Sequence, residues 1–317
     1  MSVACALLLL AAQDEVATLL DRLGSDEVAV REGAHAGLVE RGVKVLDVVA
    51  ARPVPGDPEA AARIDGIVRA IVNRCIRAEW KSPVTLDAKE APLATVLESL
   101  RKQTSFKIEV EDQNLPPVER LQLDRVPFEQ ALATILEKAG LDLLRTDAEG
   151  IRIGRLAHLT FRFTKVDVAV IFKVTTGVTG VTIRRGPGVA GAIDLACENR
   201  AWTGMIDDLA AGSGWVALWT GPKELSLRLR TDFEKDAKTE SFPLVHLRPE
   251  DPVKDRPGRF ALFARTLESS LSHGASWATV HGKWSYDPRR RAVVVTDRAE
   301  AIAEAARLVK ELDRKGE

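Results

Sequence analysis

The chain has 317 residues, enough for two or more domains, and sets 45 Lys and Arg against 46 Asp and Glu. That balance leaves no basic excess to grip nucleic acid or anionic lipid with the chain as a whole. Hydrophobic residues make up 45% and aromatics 5%, so real cores can form, yet no apolar run reaches the roughly 20 residues of a membrane-crossing helix.

The chain opens on Met1 to Gln13, where Val3 to Ala12 is an apolar run ending in small residues. Its length suits an export signal, although no Lys or Arg precedes it; the competing reading is a buried first helix. Residues 1–13 are therefore expected to direct export. Residues 14–80 read as helical. Val16, Leu19, Leu20 and Leu23 share a face, and Val28 to Arg41 and Val43 to Ala51 follow as short helices. After the proline-rich turn at 53–58, Glu59 to Trp80 carries Ile64, Ile67, Val68, Ile71, Val72 and Cys75 on one stripe. The run LGSDEVAVREGAHAGLVERG is similar to the helical hairpins of HEAT-like repeats, with too few copies for a solenoid. The expectation is a small helical cap packed on the segment that follows.

From Val84 the chain repeats itself. Leu86 meets Phe161, Leu97 meets Phe172 and Ile108 meets Ile183, all 75 residues apart. After a one-residue deletion the offset is 74, and Phe128 meets Trp202, Ile135 meets Leu209 and Gly140 meets Gly214. Shared apolar positions over this length mean one supersecondary unit used twice. Within the first copy, Val84 and Leu86 alternate with polar neighbours as a strand does. Leu93, Val96, Leu97 and Leu100 lie on one helical face beginning at Pro92. Phe106, Ile108 and Val110, then Leu121 and Leu123, return to period two. Phe128 to Ala139 is a second amphipathic helix stopped by Gly140. Leu141 and Leu143, then Ile151 and Ile153, close a hairpin around Ala148-Glu149-Gly150. Each copy thus reads βαββαββ, over 83–154 and 158–231.

The features TLDAKEAPLATVLESLRKQT, FKIEV, LQLDRVPFEQALATILEKAGL and GIRIG resemble an STN domain, the short N-terminal module of secretins and TonB-dependent receptors. Leu159 to Leu229 resembles a second, more diverged copy. The resemblance implies docking and assembly and brings no catalytic residues.

Thr231 to Ser241 is rich in charge and reads as a linker. Phe242 to Leu247 is expected as a strand, and Arg248 to Gly258, with three prolines, as a loop. Phe260, Phe263, Ala264, Leu267 and Leu271 form a helix face. Ala278 to Tyr286 is read as a strand with Val280, Gly282 and Trp284 inward and His281 outward. Asp287 to Arg290 is a turn, Ala292 to Thr296 a buried strand, and Ile302, Ala305, Ala306, Val309 and Leu312 lie on a last helix. This βαββα order over 240–315, ending VVVTDRAEAIAEAARLVKELD, resembles the KH-like repeat of the secretin N-terminus. No GxxG loop occurs in it, so RNA binding is not expected. The fold class is accordingly α+β: tandem βαββαββ modules and a KH-like βαββα module, preceded by a short α-helical domain.

Chemistry leaves little trace. Gly186-Pro187-Gly188-Val189-Ala190-Gly191 matches G-x-G-x-x-G, but the alignment places a strand after it, where a dinucleotide site needs a helix N-terminus; it is read as a β-hairpin connection. The histidines are His35, His158, His246, His273 and His281; none has the short-spaced Cys or carboxylate neighbours of a zinc site, and they read as surface residues. Cys75 and Cys197 fall in different modules and read as buried free thiols. Trp202, Trp215, Trp219, Trp277 and Trp284 sit at core positions. No G-x-S-x-G elbow occurs. No catalytic, cofactor or metal residue is assigned. The expected function is a non-catalytic docking scaffold of the cell envelope, with envelope proteins as partners, self-association allowed, and no nucleic acid or integral membrane span; any channel is expected from another chain. Two other classes stay open. One is a periplasmic small-ligand or glycan binder using a cleft between modules, and the other an enzyme with a site at a domain junction.

Overall fold

The computed structural model describes residues 14–314 apart from 54, 105, 112–114, 116, 147–149, 222, 251–257, 277 and 278. The expected export signal, the tip of the hairpin at Ala148-Glu149, most of the proline-rich loop and Trp277 lie outside the described residues.

Four helices open the chain: α1 (14–22), α2 (Val28–Arg41), α3 (Lys44–Ala51) and α4 (Pro58–Arg77). Asp57 starts α4 by accepting the N–H groups of Glu59 and Ala60, with Pro58 at a position where a missing N–H costs nothing. A 3-10 turn, Glu79–Lys81, follows.

The first module runs β1 (Pro83–Pro92), α5 (Leu93–Gln103), β2 (Ile108–Val110), β3 (Pro117–Pro127), α6 (Phe128–Ala139), β4 (Asp142–Thr146), β5 (Ile151–Gly154). The second runs β6 (His158–Asp167), α7 (Val168–Thr179), β7 (Thr182–Arg185), β8 (Ala192–Ala201), α8 (Trp202–Gly212), β9 (Trp215–Gly221), β10 (Glu224–Leu229). Both have one topology: a two-stranded antiparallel ribbon, β1–β3 or β6–β8, and a three-stranded sheet ordered β2–β5–β4 or β7–β10–β9. In each sheet the first pair is parallel and the second antiparallel.

Backbone irregularities repeat too. Glu90 and Lys165 have φ of 51° and 50°, and Arg125 and Asn199 have φ of 51° and 44°. A positive φ is uncommon outside glycine, and these recur at the two sequence offsets. The bulge beside them is held by one bond in both copies: the Arg125 N–H donates to Thr85 Oγ1 at 3.2 Å, and the Asn199 N–H to Thr160 Oγ1 at 2.9 Å. Each module has its own core, with Leu97, Phe128 and Ile135 in one and Phe172, Trp202 and Ile206 in the other.

The presumed linker is not one. It holds α9 (Arg230–Asp236) and begins β11 (Lys238–Pro243). Phe233 is buried with Val216 and Leu218 of β9, and Arg228 pairs with Asp236 at 2.7 Å. The strand expected at 242–247 therefore lies earlier. Charge misleads here because β11 is an edge strand, exposed along most of its length, where charged residues also guard against aggregation. The rest is α10 (Arg259–Ser270), β12 (Lys283–Asp287), β13 (Ala292–Asp297) and α11 (Ala299–Leu312), with an antiparallel sheet ordered β11–β13–β12. On α11 the buried residues include Leu308, while Ala306 is exposed.

The helical segment does not pack mainly on the first module, as expected. Leu38, Val45, Ile67 and Ile71 share one core with Phe260, Phe263, Val293 and Ile302. An amphipathic stripe demands a partner surface without saying which. Trp80 turns the other way, its ring 4.9 Å from Phe106 and 5.4 Å from Phe128.

Candidate functional site

Of the strand read from 278, the described residues 279–282 lie in a loop, and the loop is a joint. It wraps Asp297, which is fully buried and accepts the Ser272 N–H at 2.7 Å, the Ser272 hydroxyl at 2.5 Å and the Arg298 N–H at 2.7 Å. A Cβ on Gly282 would come within 2.0 Å of Asp297 Oδ2, so only glycine fits. Beyond Asp297 the loop docks on the second module. Asp207 of α8 accepts the N–H groups of Ala275 at 2.7 Å and Ser276 at 2.8 Å. Burial pushes its carboxyl above the usual range, against the lowering effect of these bonds and one from Thr279. The Trp219 indole donates to the Ala275 carbonyl at 3.2 Å.

His281 belongs to this joint and is not the solvated residue expected. It is half-buried, its Nε2 lies 3.2 Å from the Ala217 carbonyl, and its ring is 5.9 Å from Phe233. Desolvation by burial is the leading cause holding its pKa below the ordinary value. His273 is buried as well, with Nε2 2.9 Å from the Glu268 carbonyl. The alternation expected for 278–286 fails here because the chain enters the sheet only at Lys283; Val280, expected inward, is 39% exposed.

A cavity of about 680 Å³ opens where the 3-10 turn, α6, β4, α8 and α10 meet. Trp80, Leu132, Leu136, Leu143 and Leu156 form apolar walls, and Asp142, Thr203, Glu268 and His273 bring polar groups to it. Its size is ordinary for a small-molecule pocket. Burial raises the Glu268 carboxyl above its usual range, while Arg77 and a bond from the Trp284 side chain act the other way. At the seam between the modules, His158 Nε2 lies 3.2 Å from Asp142 Oδ1, and the Trp202 N–H donates to the Ala157 carbonyl at 3.0 Å. No sequence motif announced this cavity, because its walls come from four distant segments.

The open edge of the C-terminal sheet is a second feature. The Leu244 N–H donates to the Arg291 carbonyl at 2.6 Å, so Phe242 and Glu240, in step with it, also face β13. The main-chain groups of Thr239 and Ser241 then point away, and Pro243 occupies an outward position, where no donor is needed.

The other residues singled out by sequence are dispersed. The glycine-rich run links β7 to β8 and is followed by strand, not helix. It is not a hairpin, since the two strands lie in different sheets. The Gly186 N–H donates to the Leu227 carbonyl at 2.7 Å, and a Cβ there would crowd that oxygen. Cys75 is buried and Cys197 partly so, and neither is joined in a disulfide. His246 is exposed beyond β11, far along the chain from His273 and His281 in their separate contacts. Among the described residues, no group of three His, Cys, Asp or Glu side chains is placed to hold a metal ion, and no helix is long and apolar enough to cross a membrane.

These modules define an α+β protein built from several small sheets. Residues 239–317 match the family of the bacterial type II/III secretion system short domain, Secretin_N. No curated protein matches the chain. Among solved structures, the chain is similar to the N-terminal domain of the secretin XcpQ from Pseudomonas aeruginosa, at 14% identity over 50% of this chain and 67% of that one, with a TM-score of 0.21. It is similar to the GspC–GspD complex of the type II secretion system of enterotoxigenic Escherichia coli, at 18% identity, 50% and 99% coverage and a TM-score of 0.20. A third likeness is to the Salmonella SPI-1 type III secretion injectisome basal body proteins InvG, PrgH and PrgK, at 15% identity, 72% and 45% coverage and a TM-score of 0.20. Scores this low bear on neither partners nor activity.

Proposed function

We propose that this chain is a docking component of a bacterial secretion assembly, exported to the cell envelope and without catalysis of its own. In this reading residues 1–13 direct export, 14–80 form a helical support, 83–154 and 158–231 are the tandem modules, and 240–315 engages partners. One observation carries the proposal: the module matching the secretion short domain presents β11 as an exposed edge. Outward main-chain groups on such an edge accept an added strand. Ser241→Pro removes one outward donor and leaves the ladder to β13 in place. Affinity capture from envelope extracts should lose the partners of the wild type, with an unchanged circular dichroism spectrum. Retained capture would remove β11 from the docking surface.

The junction cavity favours a second reading, a small-ligand binder. Its size and mixed lining suit an apolar molecule with one polar group. Thermal-shift screening of such compounds tests it, with Leu136→Trp as the blocking control; hits that ignore the control do not occupy this site.

A further inference from the structure

The C-terminal sheet has another edge, on the side opposite β11. Every residue from Gly282 to Arg289 lines a channel of about 640 Å³, whose far wall is α4. Successive side chains of a strand point to opposite faces, so a space touched by all of them reaches the strand's edge; Val294 of β13 carries it over one face as well. The ladder fixes which main-chain groups face it. Arg291 pairs toward β11, so Ala292, Val294 and Thr296, out of step with it, turn toward β12, where they oppose Asp287, Ser285 and Lys283. Trp284 and Tyr286 therefore direct their N–H and carbonyl groups into the channel. Apolar side chains, Val68 and Val72 of α4 with Leu271, contribute to its lining.

Cations outnumber carboxylates in its lining, four to three. Arg69 and Arg77 line it from α4, Lys283 from β12 and Arg289 from the turn after it. Arg69 and Lys283 form no ion pair among the described residues. Asp287 is engaged by the N–H groups of Arg289 at 2.9 Å and Arg290 at 3.3 Å. Glu268 is half-buried; desolvation raises its pKa, and Arg77, itself in the lining, acts the other way. Asp65 is the remaining carboxylate in the lining.

We propose that this channel receives an extended acidic peptide of a partner protein, which adds to β12 as a fourth strand and sets its carboxylates against Arg69, Arg77 and Lys283. Main-chain bonds to Trp284 and Tyr286 give register, and the basic rim gives the preference for acidic side chains. At about 3.3 Å per residue, the five-residue strand spans a peptide segment of similar length. The site needs both α4 and the C-terminal module, and it is independent of β11.

The test uses the full chain and fluorescence anisotropy. The probe is a capped, labelled octapeptide alternating glutamate and valine. Its controls are the lysine–valine counterpart and the glutamate–valine peptide N-methylated at alternate amides. The acidic probe should bind with an affinity that falls as salt rises, and the lysine peptide at least tenfold more weakly. Methylation on the ladder side should abolish binding. The double variant Arg69→Glu/Lys283→Glu should weaken the acidic probe by about tenfold without a change in Tm, since both side chains are exposed. Ser241→Pro should change nothing. Equal binding of acidic and basic probes, indifference to N-methylation, no saturable binding at millimolar protein, or loss with Ser241→Pro would each overturn the proposal. A dimer of the free chain dissociated by the same double variant would assign the channel to a second copy and overturn it as well.

Discussion

Replacing Arg265 by Met tests how the separate cores are tied together. Arg265 lies on α10, yet its guanidinium meets the Glu79 carboxylate at 2.5 Å, donates to the Ile76 carbonyl at 3.1 Å and stands 4.8 Å from the centre of the Phe106 ring. One side chain thus joins the C-terminal module, the end of α4 and the first tandem module. The side chains of the pair are only 9% and 11% exposed, so screening by water does not dilute the interaction. Met keeps the stem's volume and removes the charge. Breaking one half of a buried pair costs about 3–5 kcal/mol, chiefly because the other charge loses its compensation. The lost ring contact falls within that range, since such terms are not additive. Arg265→Met/Glu79→Gln should recover most of the loss, because both charges then leave the interior. A chain with several cores need not unfold in one step, so urea midpoints should be read beside hydrogen exchange of the 76–81 amides. A single-variant cost below about 1 kcal/mol, or a double variant no better than the single, would refute a desolvated joint.

Leu97→Ala and Phe172→Ala remove side chains 1% and 3% exposed at matching places on α5 and α7; each should cost about 2–5 kcal/mol, and unchanged urea midpoints would show the repeat register to be wrong. Asp207 has a folded pKa above its unfolded one, so it favours the folded state below the unfolded Asp range, and that contribution is lost as pH rises through the folded value. Tm measured between pH 4 and 7 should therefore fall less steeply in Asp207→Asn than in the wild type; parallel curves would contradict the assignment. Residues 239–314 expressed alone should bind a hydrophobic dye and lack a cooperative transition, because the face of α10 turned toward α4 is uncovered; sharp melting of the fragment would show that the shared core is dispensable.

The repeat was legible because burial imposes periodicity. Leu97, Phe128 and their counterparts at Phe172 and Trp202 occupy the interior, and few residue types can do so. The left-handed positions were not legible, because Glu90, Lys165, Arg125 and Asn199 are not the glycines that usually mark them. The strand β11 looked like a linker because an edge tolerates charge on most of its positions. His281 was assigned to solvent by extending the alternation of β12 backward, but Asp297 holds Ser272, whose carbonyl accepts the His281 N–H and sets another geometry there. The junction cavity and the channel beside α4 depend on contacts between distant segments. Arg265 and Ile76 stand 189 residues apart, and nothing local in either records the meeting.

Unpaired main-chain groups at sheet edges connect this architecture to docking. A strand edge left open is a template for another chain, and a fold must cover it, shorten it or use it. In the tandem modules β2 and β7 are short, at three and four residues. The seven-residue edge β9 is buried over most of its length, and its Ala217 carbonyl is met by His281 from the joint. β4 opens on the junction cavity, through Asp142, Leu143 and Thr146. The C-terminal sheet differs. Its β11 edge stands in solvent, and its β12 edge faces a channel lined by cations, carboxylates and apolar side chains of α4. The joint that seals β9 is built from the same loop that delivers the chain to β12. Closing one edge therefore positions the other, while the two-stranded ribbons β1–β3 and β6–β8 of the tandem modules add long, largely exposed edges of their own.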